Sequence, residues 1–412
     1  MTAGRTKVAW LAPYPVTRLQ PALLVRRQPK LEHPASWIVN LANALAETNE
    51  IELHIISASA AVSKHQSVDV DRISYHIIRH AFPCTHRGFP RYLRLDALSR
   101  YAFLRWQVNR LIHDIKPEVI HVHGTEYGYG LAALDSGIPT IVSIQGIVNL
   151  LAQVSSASSR IQAEIEQQVV RRTKYFGSRT AWGTEFVRSI NPAALVYDFP
   201  EAIGQVFFDT ARASPPEPNI LMVGSVHKPK GIEEALEAMA IVRAEFPRAR
   251  LLVVGTGDPA YLSQLQQRAR SLGIEAGLEW LGSRTAAEIA RLHATSSLLV
   301  HPSYLDNSPN SVAEAMAAGL PVIASNVGGI PSMIDHNETG ILVEPRNPRD
   351  LALAIISLLR SDSERQRLAH RASAVARERH LPNKVAAQAI CIYRDVIAQE
   401  HDREFAPATP RR

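Results

Sequence analysis

The sequence predicts an α/β protein of two doubly wound domains, each built on a parallel sheet covered by helices. Short apolar runs of strand length alternate with helical patterns along the whole chain, which is typical of parallel sheets. The chain has 412 residues, more than one hydrophobic core usually supports. A proline-rich stretch near the middle separates the two halves, so we place one domain on each side of it.

Twelve apolar runs are the predicted strands. The runs in the first half are residues 7–13, 51–59, 74–81, 118–124, 140–146 and 193–199. The runs in the second half are residues 220–225, 250–257, 278–282, 298–303, 321–326 and 340–345. Open parallel sheets bind ligands beyond the carboxyl ends of their strands. We therefore expect the two sheets to face a central cleft lined by residues that follow the strands.

The domain boundary is predicted from prolines. Three closely spaced prolines within residues 211–219 form a stiff, extended connector. We predict a first domain over residues 1–210 and a second over residues 211–382. A final helix over residues 383–400 is expected to pack back on the first domain, and the tail 405–412 is expected to be disordered.

Composition excludes several classes of protein. Hydrophobic residues make up 46% and charged residues 20%, which fits a globular enzyme rather than a disordered or fibrous chain. The chain starts without a long apolar run, and no window has the apolar length that spans a bilayer. Cys84 and Cys391 match neither a disulfide framework nor a metal spacing. We therefore expect a cytoplasmic protein, soluble or peripheral on a membrane.

The excess positive charge lies in the first half of the chain. Residues 1–200 carry 22 Lys and Arg against 15 Asp and Glu, whereas the whole chain has a net charge of +6. Residues 79–110 contain seven arginines and one acid among aromatic side chains. This stretch is either a solvated helix face or a patch for anionic lipid headgroups or an anionic acceptor. No recognition motif accompanies it, so nucleic acid is not an expected partner.

The stretch 301–331 carries the strongest chemical signal. Ser308 followed by Pro309 predicts a helix start, with Ser308 as the cap and Pro309 at the first helical position. The first amides of that helix, those of Asn310 and Ser311, and the helix dipole suit a diphosphate. One acid precedes the helix and another lies one turn into it, and carboxylates suit sugar hydroxyls. The alternative is a capped surface helix with ordinary acidic residues.

The same stretch resembles the group-1 retaining glycosyltransferases of the GT-B fold. Their signature is an acid, seven residues and Glu, continuing as Ala-Met-Ala-x-Gly-x-Pro-Val and then Gly-Gly. Asp306 and Glu314 occupy the acid positions, and Gly328 and Gly329 are the glycine pair. The resemblance implies that Glu314 holds the ribose hydroxyls of a nucleotide diphosphate sugar and that Asp306 holds its sugar. The family usually has Glu at the first position, so Asp306 is a departure with a shorter reach.

A second match follows the strand at 220–225. Residues 225–231 stand where the family has Gly-Arg, a short loop and Lys-Gly. The resemblance implies that Lys230 neutralises the donor phosphates, because a fixed ammonium stabilises the charge that a leaving diphosphate gains. Ser225 stands where an arginine is common, and we expect Lys228 to compensate.

These matches define the predicted site. We assign catalysis to Asp306, Glu314 and Lys230. The residues assigned to donor binding are Gly224, Ser225, Lys228, Gly282, Arg284, Asn307, Ser308, Asn310 and Ser311. No metal or other cofactor is assigned, because Lys230 and the helix start can carry the phosphate charge. The implied acceptor is a glycan or a lipid-linked molecule that the sequence does not specify.

The first domain contributes two residues to the expected cleft. His121 and His123 share one face of the predicted strand 118–124, with His123 nearer its carboxyl end. No acid or cysteine cluster completes a metal site around them, so we assign His123 to the cleft and His121 to packing. Gln145 stands where the family often has a histidine near the donor sugar. A glutamine cannot shuttle a proton, but it can bind a hydroxyl.

Residues 175–197 resemble a pattern found in a subset of these enzymes that act in polysaccharide assembly. The matching residues are Arg179, Thr180, Trp182, Asn191 and Pro192. Gly183 replaces the usual aspartate. Residues 13–16 and 33–37 lack the adjacent glycines that the family carries near the phosphates.

Three other functions stay open. A dehydrogenase is suggested by Gly255-x-Gly257-x-x-Ala260, which follows a predicted strand, although it lies in the second turn of its domain. A glycosyltransferase-like partner subunit without turnover is suggested by the departures at Asp306, Gln145 and Ser225. A sugar-nucleotide epimerase on the same fold would convert the donor without an acceptor.

Overall fold

The computed structural model describes residues 4–25, 35–79, 95–125, 128–147, 157–213 and 217–405. The chain divides into two compact α/β units, and each has a sheet of its own. The first unit comprises Met1–Arg179, Gly183–Ala202 and Asn383–Arg412, and the second comprises Thr180–Trp182 and Ile203–Pro382. The predicted class of two doubly wound α/β domains is confirmed.

The first unit has an eight-stranded sheet. Its strands are β1 Thr6–Leu11, β2 Ile51–Ser59, β3 Gln66–Val70, β4 Ile73–Arg79, β5 Val119–His123, β6 Thr140–Ser143, β7 Tyr175–Ser178 and β8 Leu195–Asp198. The strand order is β3-β4-β2-β1-β5-β6-β7-β8, and β3 alone pairs antiparallel, with β4. The order reverses between β1 and β5, the kind of position where doubly wound sheets bind ligands.

The second unit has a six-stranded, fully parallel sheet. Its strands are β9 Asn219–Val223, β10 Arg250–Val254, β11 Leu278–Gly282, β12 Leu298–His301, β13 Val322–Ser325 and β14 Ile341–Val343. The order is β11-β10-β9-β12-β13-β14, so the reversal falls between β9 and β12. The loops that follow β9 and β12 therefore lie side by side.

Fourteen α-helices lie in the described part of the chain. The first six are α1 Ser36–Thr48, α2 Leu95–Leu98, α3 Ala102–Ile115, α4 Tyr129–Ser136, α5 Ala157–Arg172 and α6 Ala181–Ile190. The next seven are α7 Gln205–Phe208, α8 Ile232–Glu245, α9 Pro259–Ser271, α10 Ala286–Thr295, α11 Asn310–Ala317, α12 Pro348–Arg360 and α13 Asp362–Arg379. The last helix is α14 Pro382–Phe405. None of these helices has the length and apolar character needed to cross a membrane.

Each of the twelve predicted strands overlaps an observed one, whereas β3 and β7 have no predicted counterpart. The β3 strand reads Gln-Ser-Val-Asp-Val and is half exposed at the sheet edge, so it has no apolar run. The β7 strand is buried but only four residues long, and it follows a charged helix end. Strands without a continuous apolar run give little signal in a single sequence.

Helices cover both faces of the second sheet. Successive strand residues point to opposite faces, so Ile220 belongs to the core under α8, α9 and α12, and Leu221 to the core under α7, α10, α11 and α13. Helix α14 packs against the first unit. The hydroxyl of its buried Tyr393 accepts a 3.0 Å hydrogen bond from Trp10 Nε1 on β1. The C-terminal helix is therefore part of the first unit's core.

The two units divide at Ala202/Ile203, upstream of the predicted boundary at residue 211. The reason is packing, because Ile203, Phe207 and Phe208 are buried in the core of the second unit. Residues 214–216 of the proline-rich connector lie outside the described residues, and so does the predicted disordered tail after Phe405.

Part of the arginine-rich stretch also lies outside the described residues, at 80–94. Within the described part, Arg105 forms an ion pair with Asp135 at 2.6 Å. Arg100 donates a 2.6 Å hydrogen bond to Gln168. Trp106 on α3 is 58% exposed. The described arginines thus include members engaged with their own unit, beside an exposed aromatic ring.

Candidate active site

Most of the predicted donor residues lie where β9 and β12 end in the second unit. The loop after β9 carries Lys230 at the end of a short 3-10 helix, and the loop after β12 carries Asp306. Lys230 Nζ lies 2.5 Å from Asp306 Oδ2. A main-chain hydrogen bond of 2.8 Å from Tyr304 N to the carbonyl of Pro229 ties the two loops together. The backbone of the two loops therefore fixes the positions from which Lys230 and Asp306 meet.

Asp306 is held from several sides. His301, the last residue of β12, places Nε2 3.0 Å from Asp306 Oδ2, and Ser303 Oγ lies 3.0 Å from the same ring nitrogen. The amide of Asn307 donates to Asp306 Oδ1 at 3.1 Å. Three donors on one carboxylate fix its rotamer and preserve its charge.

These contacts set the ionisation of the site. Burial alone would raise the pKa of Asp306, but the hydrogen bond from His301 and the Lys230 ammonium outweigh it, and the pKa lies well below the usual range of an aspartate. Asp306 is therefore an anion at neutral pH. Its side chain is 17% exposed and that of Lys230 is 22% exposed, so both remain reachable by a ligand.

Glycines allow the loops to approach this closely. Gly231 has φ +72°, and a Cβ there would overlap the carbonyl oxygen of Pro302. Gly328 has φ +55°, and a Cβ there would overlap the carbonyl oxygen of Asp306, while Gly329 donates its amide to that oxygen at 3.0 Å. The predicted Gly-Gly pair thus supports the backbone of the acidic loop.

Helix α11 begins one residue later than predicted, and Ser308 does not cap it. Pro309 is the N-cap with ψ 118°, an extended conformation, and no side chain caps the helix. The Pro309 carbonyl accepts the first helical bond, from Val312 N at 3.0 Å. Ser308 Oγ instead lies 3.7 Å from Met333 Sδ. The helix start consequently has no side-chain cap, which leaves the amides of Asn310 and Ser311 as its first donors.

Glu314 lies on the second turn of α11 in a different environment from Asp306. It is half-buried, and burial raises the pKa of Glu314 to about 8. Asn310 Oδ1, at the start of the same helix, is buried and has no hydrogen-bond partner among the described residues. A buried polar atom without a partner is costly in a folded protein. A bound hydroxyl or amide donor would satisfy it.

The remaining predicted donor residues surround this core less tightly. Ser225 Oγ lies 2.9 Å from His227 Nδ1, in the loop that ends at Lys230. Lys228 is exposed in that loop, and Gly224 starts it with φ +155°. Ser311 Oγ lies 3.4 Å from His301 Nδ1, which joins it to the Asp306 cluster.

Gly282 ends β11 and Arg284 follows it, at the far edge of the same sheet. The carbonyl of Gly282 accepts a 2.9 Å hydrogen bond from the amide of Gly255. Arg284 is exposed, and its Nη1 lies 3.1 Å from the carbonyl oxygen of Ser283. These two residues are therefore bonded to neighbouring loop backbone and not to the Lys230 and Asp306 pair.

The dinucleotide-like glycines have a structural role. A Cβ on Gly255 would overlap the Gly224 carbonyl, and a Cβ on Gly257 would overlap the Val226 carbonyl. The following helix, α9, is capped by Asp258, which accepts bonds from Ala260 N at 2.9 Å and Tyr261 N at 3.1 Å. A carboxylate of the chain already occupies the helix start where a dinucleotide would place its phosphates.

The sequence analysis assigns no role to His301 or to Tyr304. It places His301 only at the end of an apolar strand, although His301 is the first residue of the motif. Tyr304 hydroxyl donates a 2.5 Å hydrogen bond to Glu234, and the guanidinium of Arg346 lies 4.5 Å from the Tyr304 ring centroid. The available signal for His301 was a polar residue at the carboxyl end of a strand next to the reversal point of the sheet.

The strand ends of the first unit carry a neutral, buried cluster. His121 Nδ1 lies 2.7 Å from the Tyr393 hydroxyl and Nε2 lies 2.7 Å from Ser143 Oγ. The His123 ring lies beside it at a tilt, with ring centroids 3.9 Å apart, and packs on Trp10 at 4.4 Å. His123 Nε2 is buried without a hydrogen-bond partner among the described residues.

Burial and then the Arg179 charge lower the pKa of His121 to about 3. Burial and then the His121 ring lower the pKa of His123 far below its usual range. Both histidines are therefore neutral near pH 7. Gln145, after β6, is half-buried.

The residues that resemble the polysaccharide-assembly pattern have structural contacts. Asn191 Nδ2 donates to the carbonyls of Val170 and Thr173 at 3.0 and 2.8 Å, at the end of α5. Thr180, which groups with the second unit, donates its hydroxyl to Asn307 Oδ1 at 2.6 Å. This contact joins Thr180 to the loop that carries Asp306.

Two family models match the chain. Residues 18–193 match the model described as glycosyl transferase 4-like domain, and residues 207–375 match glycosyl transferases group 1. The second match contains all the residues assigned to catalysis and donor binding.

Individual proteins are similar over shorter or more divergent stretches. D-inositol 3-phosphate glycosyltransferase of Corynebacterium kroppenstedtii is 32% identical over 151 residues, which are 35% of this chain and 34% of that protein. The match thus spans about a third of the relative's length.

Sucrose-phosphate synthase from Thermosynechococcus elongatus has a similar solved structure, with a TM-score of 0.78, 20% identity and coverage of 96% of this chain and 100% of that one. Anabaena HepE in complex with UDP has a TM-score of 0.69 at 15% identity and covers 95% of this chain and 100% of that one. These structures share the predicted GT-B fold.

Proposed function

We propose that this chain, which belongs to the glycosyl transferases group 1 family, transfers a sugar from a nucleoside diphosphate sugar to an acceptor hydroxyl. The observation that carries the proposal is the fixed Lys230–Asp306 pair beside the start of α11. It places a cation and helix amides, which bind phosphates, next to an anion, which binds hydroxyls.

The donor is assigned to these groups by their chemistry. The diphosphate takes the Lys230 ammonium and the amides of Asn310 and Ser311. The hydroxyls of the transferred sugar donate to Asp306, which is ionised and preorganised. The ribose hydroxyls take Glu314. The complex of Anabaena HepE with UDP supports a nucleoside diphosphate as the leaving group.

The reaction that we propose is the one that the resemblance to retaining glycosyltransferases implies. The bond between the anomeric carbon and the donor phosphate oxygen breaks, and its electron pair goes to the diphosphate. Lys230 and the α11 amides stabilise that charge, without a metal in our assignment. The acceptor oxygen attacks the same face of the sugar, and its proton passes to the departing phosphate oxygen. The product then retains the anomeric configuration of the donor.

The acceptor side is proposed from the first unit. We assign His123 and Gln145, which lie at the carboxyl ends of neighbouring strands, to substrate hydroxyls, because the buried His123 Nε2 needs a partner. The surplus of basic residues and the exposed Trp106 favour an anionic acceptor or a peripheral, cytoplasmic position on an anionic membrane. We therefore place the enzyme in cell-surface polysaccharide or glycoconjugate assembly.

Calorimetric titration with a panel of nucleoside diphosphates and their sugars, without added metal, tests the donor site. We expect one donor to bind saturably to the wild type and to the exposed-lysine control Lys64→Ala. Binding should be lost in Lys230→Ala and Glu314→Ala. Equal binding by all four proteins would contradict the assigned site.

The outcome also separates the alternatives. Release of nucleoside diphosphate that requires an added acceptor supports a transferase. Conversion of the donor sugar without an acceptor would indicate an epimerase, and no binding of any donor would indicate a partner subunit. NMR of the product linkage tests retention, which an inverted anomeric centre would contradict.

A further inference from the structure

The second unit has a cavity of 760 Å³ at the edge of its sheet opposite to the candidate active site. Pro218, Ser297 and Pro321 line this cavity, and they directly precede β9, β12 and β13. Lys230 and Asp306 follow the carboxyl ends of β9 and β12. Because the strands are parallel, the cavity and the donor residues lie at opposite ends of the same strands.

Three arginines converge on the cavity, which we call the arginine cavity. Arg212 donates to the His293 carbonyl, Arg365 donates to the Leu358 carbonyl, and Arg377 donates to the Phe208 carbonyl at 2.7 Å. These bonds anchor the guanidinium groups. A guanidinium has five N–H donors, so each anchored group still has donors to offer.

The positive charge is only partly compensated. Arg365 pairs with Asp362 at the mouth, whose side chain is 81% exposed. Glu217 also lines the cavity, but its ion pair is with Arg248, 3.9 Å away and outside the lining. In the described parts of the chain, Arg212 and Arg377 form no ion pair.

The proximity of cations is visible in the ionisation of Arg212. Burial and then the neighbouring charge of Arg365 lower the pKa of Arg212 to about 10. Two guanidinium groups that repel each other favour a shared anion, because an anion satisfies both at once.

The rest of the lining favours a hydroxylated body and not a bare ion. Hydroxyls and an amide are contributed by Thr210, Ser297, Gln366 and Ser373. Phe208 and Leu359 add apolar wall. The volume lies within the usual range of small-molecule sites, roughly 300–1,000 Å³. An inorganic phosphate would leave most of this volume empty.

We propose that the arginine cavity binds a small phosphorylated polyhydroxy compound, with its phosphate among the three arginines and its hydroxyls on the polar lining. This is a second ligand site, and it does not depend on the function proposed for the active site. Arginine forks match phosphate geometry, and the hydroxylated lining excludes a purely apolar ligand.

Titration of the full chain carrying Lys230→Ala tests the site, because that change removes the phosphate partner of the donor site. The probes are glucose 6-phosphate, glycerol 3-phosphate, inorganic phosphate and glucose. We expect saturable binding of a phosphorylated polyol, tighter than inorganic phosphate, and no binding of glucose.

Adding Arg212→Gln or Arg377→Gln should weaken that binding about tenfold or more, the value of a charged hydrogen bond. Arg360→Gln is the matched control, because Arg360 ends α12, pairs with Glu245 at 2.7 Å and lies outside the cavity lining. It removes the same charge and should leave the affinity within about twofold. Thermal unfolding checks that each variant folds. If Arg212→Gln does not fold, the affinity of Arg377→Gln alone tests the proposal.

Two results would overturn the proposal. The first is an equal loss of affinity in the cavity variants and in Arg360→Gln, which would mean that general charge and not the cavity holds the probe. The second is that none of the phosphorylated probes binds saturably to the Lys230→Ala chain. The three arginines would then serve only as partners for the carbonyls they contact.

Discussion

The carboxyl ends of the two sheets carry opposite chemistry. In the second unit, Lys230 and Asp306 are charged, partly exposed and held by loop backbone. In the first unit, His121 and His123 are buried and neutral near pH 7. The same topology therefore supplies a preorganised charge site in one unit and a packed polar cluster in the other.

The difference shows what a strand end needs in order to carry charge. Asp306 receives hydrogen bonds from a side chain, a backbone amide and an ammonium, which outweigh its burial. His123 Nε2 has no hydrogen-bond partner among the described residues, and burial keeps the ring neutral. Partners, and not the fold, decide whether a strand-end residue is ionised.

The largest effect is expected from removal of the Asp306 charge. Asp306→Asn keeps the side-chain size but loses the anion that Lys230 and His301 contact. We expect kcat/KM for the donor to fall about 10²–10³-fold, the usual effect of losing one preorganised electrostatic group. Steady-state kinetics measure it, with Asp209→Asn, an exposed aspartate at the end of α7, as the control. Unchanged kcat/KM would remove Asp306 from the site.

The close approach of the loops is tested by a pair of glycines with the same backbone conformation. Gly231 and Gly273 have φ of +72° and +68°, but only Gly231 lies against another loop, at Pro302. Gly273→Ala should cost about 1 kcal/mol of unfolding free energy through backbone strain. Gly231→Ala should cost about 2 kcal/mol more and weaken donor binding, because the Lys230 loop must shift. Urea unfolding of both variants gives the comparison, and equal losses would contradict the packing explanation.

Much of the second unit could be predicted because its signals are local. Lys230, Asp306 and Glu314 lie in short motifs next to apolar strands, and a parallel sheet brings strand ends together whatever the distant contacts are. The cap at Ser308 was wrong, because Pro309 and not Ser308 is the N-cap residue. The loop just before it packs at Asp306 and Asn307 against Gly328 and Gly329, which are distant in sequence. No property of residues 308–309 alone encodes that.

The first unit was less predictable because its determinants are distant in sequence. His121 contacts Tyr393, 272 residues away. That contact makes it a core residue and not a ligand. β3 was missed because a half-exposed edge strand has no apolar run. The division at Ala202/Ile203 depends on where Phe207 and Phe208 are buried, and the connector composition could not show this.

The buried, neutral His121 should make the stability of the protein sensitive to acid. The pKa of His121 is lowered from 6.5 to about 3, so the unfolded chain binds a proton that the folded chain excludes between those values. Stability present above pH 6.5 is therefore lost as the pH falls, by about 2 kcal/mol at pH 5. Urea unfolding at pH 7.5 and 5 should show a smaller loss in His121→Asn. His113→Asn, at an exposed position on α3, should keep the wild-type slope. The same slope in all three proteins would contradict a buried, neutral His121.

The pH dependence expected at Glu314 has the opposite sign. Burial raises the pKa of Glu314 from 4.5 to about 8, so between these values the folded chain holds a proton that the unfolded chain has released. Stability should therefore decrease as the pH rises across that window, and Glu314→Gln should remove this decrease.

We expect the variant to exceed the wild type by about 4 kcal/mol at pH 8 and to match it near pH 4.5. Glu275→Gln, at an exposed position paired with Arg270, is the control without a pH-dependent gain. Thermal unfolding from pH 4.5 to 8.5 measures the difference. A constant difference across this range would mean that Glu314 is ionised in the folded chain, like Asp306, and the two acids would then share one environment.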